Sequence, residues 1–144
     1  MIEQPLGRML SMLGKGYLQL LHTKLEHMDI GRYYYAIVLI DSRDGIITQQ
    51  ELALLLDTDK VSIVRIVDYL SDKGYVKRIR KTDDRRKQNL LLTEKAKRAI
   101  PEIKQAFVDL NGIVMYGLTP ARINEFTDML KMLKNNITEN TQSI

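Results

Sequence analysis

The segment TQQELALLLDTDKVSIVRIVDYLSDKGYVKRIRKTDDRRKQNLLLT, residues 48–93, decides how the whole chain reads. Its opening, Thr48-Gln49-Gln50-Glu51, has the form of a capping box. The Thr48 hydroxyl can accept from the Glu51 amide while the Glu51 carboxylate reaches back to the Thr48 amide. A short helix is therefore expected from about Gln49 to Leu56. Asp57-Thr58 breaks the pattern, and Asp59 is a good N-cap for a second helix over Lys60–Asp72. Lys73 then places a cation at that helix's C-terminus, and Gly74 can adopt the left-handed cap conformation. Two helices back to back across a turn of about three residues make a helix-turn-helix. Next, Tyr75–Arg80 and Lys87–Leu92 flank the polar tip KTDDRR, and Leu90 and Leu92 alternate with polar residues as in a strand covered on one face. Two strands around a charged turn predict a hairpin. No Asn-Gly pair fixes its turn type.

Working outward, apolar residues recur at helical spacing from Leu6 to Met28, with Gly14 and Gly16 as local weak points. Asp29–Gly31 reads as a break, Arg32–Ser42 as a second helix, Asp44-Gly45 as a turn, and Ile46-Ile47 as a very short strand. Beyond the hairpin, Thr93 caps a long helix from Glu94 to about Tyr116, in which Pro101 marks either a kink or a second start. Gly117 closes it. Thr119 caps a last helix whose first position is Pro120 and whose stripe is Ile123, Phe126, Met129/Leu130, Leu133 and Ile137. The fold class is mainly α with a small β-hairpin wing, in a single domain over 1–144. About 31–93 form the winged helix-turn-helix, and about 1–30 and 94–144 are flanking helices.

Composition excludes several functions. There is no cysteine among the 144 residues, so disulfide scaffolds, thiolate metal sites, cysteine nucleophiles and thiol switches are ruled out. No apolar run approaches a membrane span, and the first ten residues lack the basic and apolar blocks of a secretion signal, so a cytoplasmic protein without membrane contact is expected. His22 and His27, five apart, do not share one helical face, and no metal site or cofactor is expected. With no nucleophile–base pair and no glycine-rich phosphate loop, the chain is expected not to be an enzyme. The net charge of +4 is unevenly placed. Lys60–Lys87 hold ten basic and four acidic residues, +6, while the rest of the chain holds 12 and 14, −2. Such a patch suits docking of a polyanion, or a solvated basic face.

On the helix Lys60–Asp72, Ile63, Ile66, Val67 and Leu70 fall on one arc and face the core. Opposite lie Val61, Arg65, Asp68 and Asp72, flanked by Lys60, Ser62, Val64 and Tyr69. An apolar residue there is either an ordinary surface valine or one that meets a thymine methyl in a DNA major groove, with Arg65 beside it for a guanine edge or a phosphate. An arginine at the hairpin tip can enter the adjacent minor groove, held extended by an acid two residues away. The plainer reading of Asp84 and Arg86 is an exposed turn salt bridge.

These residues resemble the MarR family of winged helix-turn-helix transcriptional regulators. The match runs from Glu51-Leu52-Ala53 through the helix stretch VSIVRIVDYL (61–70), Lys73-Gly74-Tyr75-Val76, the pair Asp84 and Arg86, and Leu92-Thr93, with no gap between Glu51 and Thr93. Asp57 stands where a turn glycine is usual, Asp59 where a capping serine is usual, and Val61 and Val64 where polar residues are frequent. The resemblance implies a sequence-specific double-stranded DNA-binding regulator: a homodimeric repressor on a pseudo-palindromic operator, joined through its flanking helices. It implies a recognition helix with Lys60, Val61, Ser62, Val64 and Arg65 at the DNA, and a wing with Arg80, Lys81, Asp84, Arg85, Arg86 and Lys87. It also implies release by a small aromatic or anionic effector, for which Tyr17, His22, Tyr33, Tyr34 and Tyr35 are candidates; the plainer reading places those tyrosines in the core or the interface. The alternative function is a winged-helix module for protein–protein contact without specific DNA binding, a reading that the acids Asp59, Asp68 and Asp72 would suit.

Overall fold

In a computed structural model, residues 5–80 and 88–141 are described. The elements run α1 Leu6–Leu25, α2 Tyr34–Asp41, β1 Ile46–Thr48, α3 Gln49–Leu55, α4 Lys60–Asp72, β2 Val76–Arg80, β3 Gln88–Leu92, α5 Glu94–Val114 and α6 Pro120–Thr141. This is the mainly helical, winged helix-turn-helix arrangement expected from residues 48–93. The chain divides into two compact units, up to Leu110 and from Asn111 onward. Among the described residues no helix is long and apolar enough to cross a membrane.

Local chemistry sets the boundaries. The capping box at α3 is complete: the Glu51 amide donates to Thr48 Oγ1 at 3.1 Å, and the Thr48 amide donates to the Glu51 carboxylate at 3.4 Å. After α3, Asp57 takes a left-handed conformation (φ 54) and the Thr58 amide donates to the Ala53 carbonyl. These features close the helix as a Schellman cap. After α4, Gly74 does the same at φ 81, with the Tyr75 amide on the Leu70 carbonyl. Thr93 Oγ1 accepts from the Ala96 amide at the start of α5 and donates to the Gly74 carbonyl at 2.6 Å, tying α5 to the end of α4.

The sheet has the order β1-β3-β2, all antiparallel. β3 is central, with Leu90 opposite Ile47 on one side and Arg78 on the other. The two-residue strand read at Ile46-Ile47 is thus the third strand of the wing, extended to Thr48. Leu90, Leu92, Ile47 and Val76 face a core shared with Ile37, Ile40, Leu52, Ile63, Val67, Leu70 and the α5 residues Ala96, Ile100 and Ile103. Ile66 packs at its edge.

Two expected boundaries moved. α1 ends at Leu25 rather than Met28, and α2 begins at Tyr34 rather than Arg32. The segment between them is drawn into turns, with Gly31 at φ 68. Pro101 lies inside α5 without dividing it, so no second helix starts there.

Within the first unit, α1 buries only Leu21 and Leu25, while Leu6, Met9, Leu10, Leu13 and Leu20 are exposed. In the second unit, Thr119 Oγ1 accepts from the Arg122 amide as the N-cap of α6. Phe126, Met129, Leu130 and Ile137 of α6 are exposed.

Candidate nucleic-acid interface

α4 is positioned by its buried arc. Ile63, Val67 and Leu70 anchor one side, and burying each such side chain contributes about 1.5–3 kcal/mol. The opposite side is thereby fixed outward. Val61 is 65% exposed and Val64 41%, and Lys60 and Arg65 are exposed beside them. Ser62 is half-buried, and its amide donates to Asp59 Oδ1 at 2.7 Å. That bond, with a second from the Ser62 hydroxyl, holds the Asp59 carboxyl below its usual range, so the helix start carries a negative charge. Thirteen residues give α4 a length of about 20 Å, enough to lie along a groove. α3, ahead of it, leaves Leu54 76% exposed, an apolar side chain the sequence reading did not single out.

Asp68 is not a free acid on this face. Its Oδ1 accepts from Arg78 of β2 at 2.6 Å, with Arg78 under one-third exposed. The bridge clamps the wing's first strand to α4 and cancels one of the acids that would have suited the protein-docking alternative. Asp72 remains exposed at the end of the helix. Of the expected wing contacts, Arg80 ends β2 and is exposed, whereas Lys81, Asp84, Arg85, Arg86 and Lys87 lie outside the described residues.

A second network holds the far end of α4. Tyr75 donates to Asp29 Oδ1 at 2.6 Å, and Lys95 Nζ donates to Asp29 Oδ2 at 3.2 Å and to the Lys73 carbonyl at 2.8 Å. Lys95 also sits 4.4 Å above the Tyr75 ring. The hydrogen bond from Tyr75 lowers the Asp29 pKa, while burial of the ring and that same bond raise the Tyr75 pKa. Partners 46 and 66 residues apart gave no local signal in the sequence.

The five ligand candidates are placed unevenly. His22 Nδ1 lies 3.2 Å from the hydroxyl of buried Tyr34, whose pKa is raised chiefly by burial. Tyr33 meets Tyr69 edge-on at a ring separation of 5.2 Å. Tyr17 is half-buried against the core, and Tyr35 is 55% exposed. Successive positions on a helix point about 100° apart, which is why Tyr34 and Tyr35 part company, while Tyr33 precedes α2 as its N-cap. An open cleft of about 250 Å³ lies elsewhere, lined by Lys24, Leu25, Glu102, Gln105, Ala106 and Asp109.

With this geometry established, the comparisons are consistent. Residues 31–87 match the MarR family model. A MarR transcriptional regulator from Methanosarcina mazei Go1 is 28% identical, with 92% of this chain and 96% of that one covered at a TM-score of 0.84. A mutant MarR from E. coli complexed with operator DNA is 27% identical, with 90% and 93% covered at 0.82. The transcriptional regulator SlyA, at 20% identity, shares the fold over 95% of this chain and 96% of that one at 0.88. The matched segment spans the helix-turn-helix and the first strand of the wing, and over it the chain is similar to the MarR family.

Proposed function

We propose that this chain is a sequence-specific double-stranded DNA-binding transcription regulator, acting as a homodimeric repressor on a pseudo-palindromic operator. The observation that carries the reading is the outward face of α4: Lys60, Val61, Val64 and Arg65 exposed on the second helix of a helix-turn-helix, inside a segment of charge +6. Its relative from E. coli was solved with operator DNA. Arg80, exposed at the end of β2, supports a basic wing at the neighbouring groove.

The dimer is supported by two uncovered apolar faces, Leu6, Met9, Leu10 and Leu13 on α1 and Phe126, Met129, Leu130 and Ile137 on α6. Soluble monomers rarely leave large contiguous apolar patches in water. A second copy covers these faces and sets two α4 helices about one DNA turn apart. Release by a small aromatic or anionic effector completes the proposal, with Tyr17 and the His22–Tyr34 pair as the side chains it engages. The protein works in the cytoplasm, performs no catalysis and needs no cofactor. The protein-docking alternative is weakened by the Arg78–Asp68 bridge.

Selection of bound fragments from genomic DNA tests the reading, followed by variants. Arg65→Ala and Arg86→Ala are each expected to weaken binding of the recovered fragment while light scattering still reports a dimer. If both variants bind as the wild type does, the groove assignments are wrong.

A further inference from the structure

We infer that α4 reads the methyl groups of thymine, so that A·T pairs in the operator are specified through their 5-methyl edges rather than by hydrogen bonds to adenine. The inference rests on the DNA-binding reading above and adds the chemistry of the base that is read. The helix sequence KVSIVRIVDYLSD contains no asparagine or glutamine. Those are the side chains that grip adenine N6 and N7 together. Ser62 is the sole uncharged polar residue from Lys60 to Ile66, and both its amide and its hydroxyl are turned to Asp59. The helix start, whose amides would otherwise suit a phosphate, is thereby occupied by a carboxylate.

The uncharged side chains that α4 leaves exposed are apolar. Val61 and Val64 lie three positions apart, so their side chains are neighbours on one face, and both are exposed. In the major groove an A·T pair presents N7, the N6 amino group, O4 and the thymine methyl. A valine can complement only the last of these. Arg65, four positions after Val61 on the same face, suits a guanine edge or a phosphate, and Lys60 a phosphate. The face therefore combines methyl contacts with cationic anchoring, and flanking charge selects a nucleic acid as its occupant.

The probe is a duplex recovered by selection from a random-sequence pool, resynthesised with uracil replacing thymine at one position at a time. Each replacement removes one methyl and leaves every hydrogen-bonding group in place. Loss of a contacted methyl is expected to raise Kd about fourfold, at one or more positions in each half-site. In the Val61→Ala, Val64→Ala double variant, whose altered side chains lie outside the core, the uracil series should be flat. Uracil bound as tightly as thymine at every position of a duplex that still competes specifically would overturn the inference and leave DNA binding standing. A chain that retains no duplex at low salt overturns both.

Discussion

Replacing Tyr75 by phenylalanine isolates one hydrogen bond that braces α4 against the rest of its unit. The ring is buried and its packing survives the change, so only the 2.6 Å bond to Asp29 is lost. A hydrogen bond to a charged group contributes about 1.5–3 kcal/mol when well shielded. Asp29 is half-exposed and keeps Lys95, which reduces the expectation to about 1 kcal/mol. With a urea slope of about 2 kcal/mol/M, the unfolding midpoint should fall by about 0.5 M at pH 7. The pH dependence gives a second readout. Asp29 has a lowered folded pKa, so its contribution is present above the unfolded carboxylate pKa and disappears as pH falls through the folded value. Tyr75 has a raised folded pKa, so its contribution is complete below the unfolded phenol pKa of about 10 and is lost as pH rises beyond it. The gap between wild type and variant should therefore be widest near neutrality and narrow in both acid and alkali. A gap that stays constant from pH 3 to pH 7 would refute the assignment of the bond.

Three further substitutions probe two turns and a helix start. Gly31→Ala places a methyl 3.2 Å from the Tyr69 ring at φ +68, whereas Gly45→Ala at φ +77 meets nothing within 4 Å. Both incur the left-handed penalty of about 1–2 kcal/mol, and Gly31→Ala must additionally displace a ring packed on Tyr33, so its thermal transition should fall further. Equal losses would show that Tyr69 yields without cost. Asp59→Asn preserves the cap to Ser62 and removes a negative charge beside the residues proposed to face DNA. It should leave the unfolding midpoint nearly unchanged and tighten DNA binding at neutral pH, with the advantage fading as added salt screens the charge. Unchanged affinity at low salt would place Asp59 away from the phosphates.

Much of the central segment was legible because its signals are local. Thr48, Asp59, Thr93 and Thr119 each cap the helix they were expected to cap, and Gly74 takes the left-handed position. The expectation that Asp57 could replace a turn glycine is met by its φ of 54. The arc of Ile63, Val67 and Leu70 followed from a 3.6-residue period alone. What escaped was set by partners distant in sequence. Asp68 looked free until β2 brought Arg78 to it, and β1 looked incidental until its register against β3 closed the sheet. α1 ends earlier than its local pattern suggests, and beyond it Asp29 is held by Tyr75, just before β2, and by Lys95 of α5, partners that no local pattern encodes. The apolar stripe of α1 was readable as a helix, but most of it is uncovered within this chain.

The most direct test of the central claim is the salt dependence of binding to a selected duplex, followed by fluorescence anisotropy. Lys60, Arg65 and Arg80 are exposed in this chain, so these three positions alone should neutralise about six phosphates in the proposed homodimer. The account then requires log Kobs to fall against log salt with a slope of about −5 or steeper, at about 0.9 per phosphate. The slope should become shallower in Arg65→Ala. No binding at low salt, or a slope indistinguishable from zero, would contradict it.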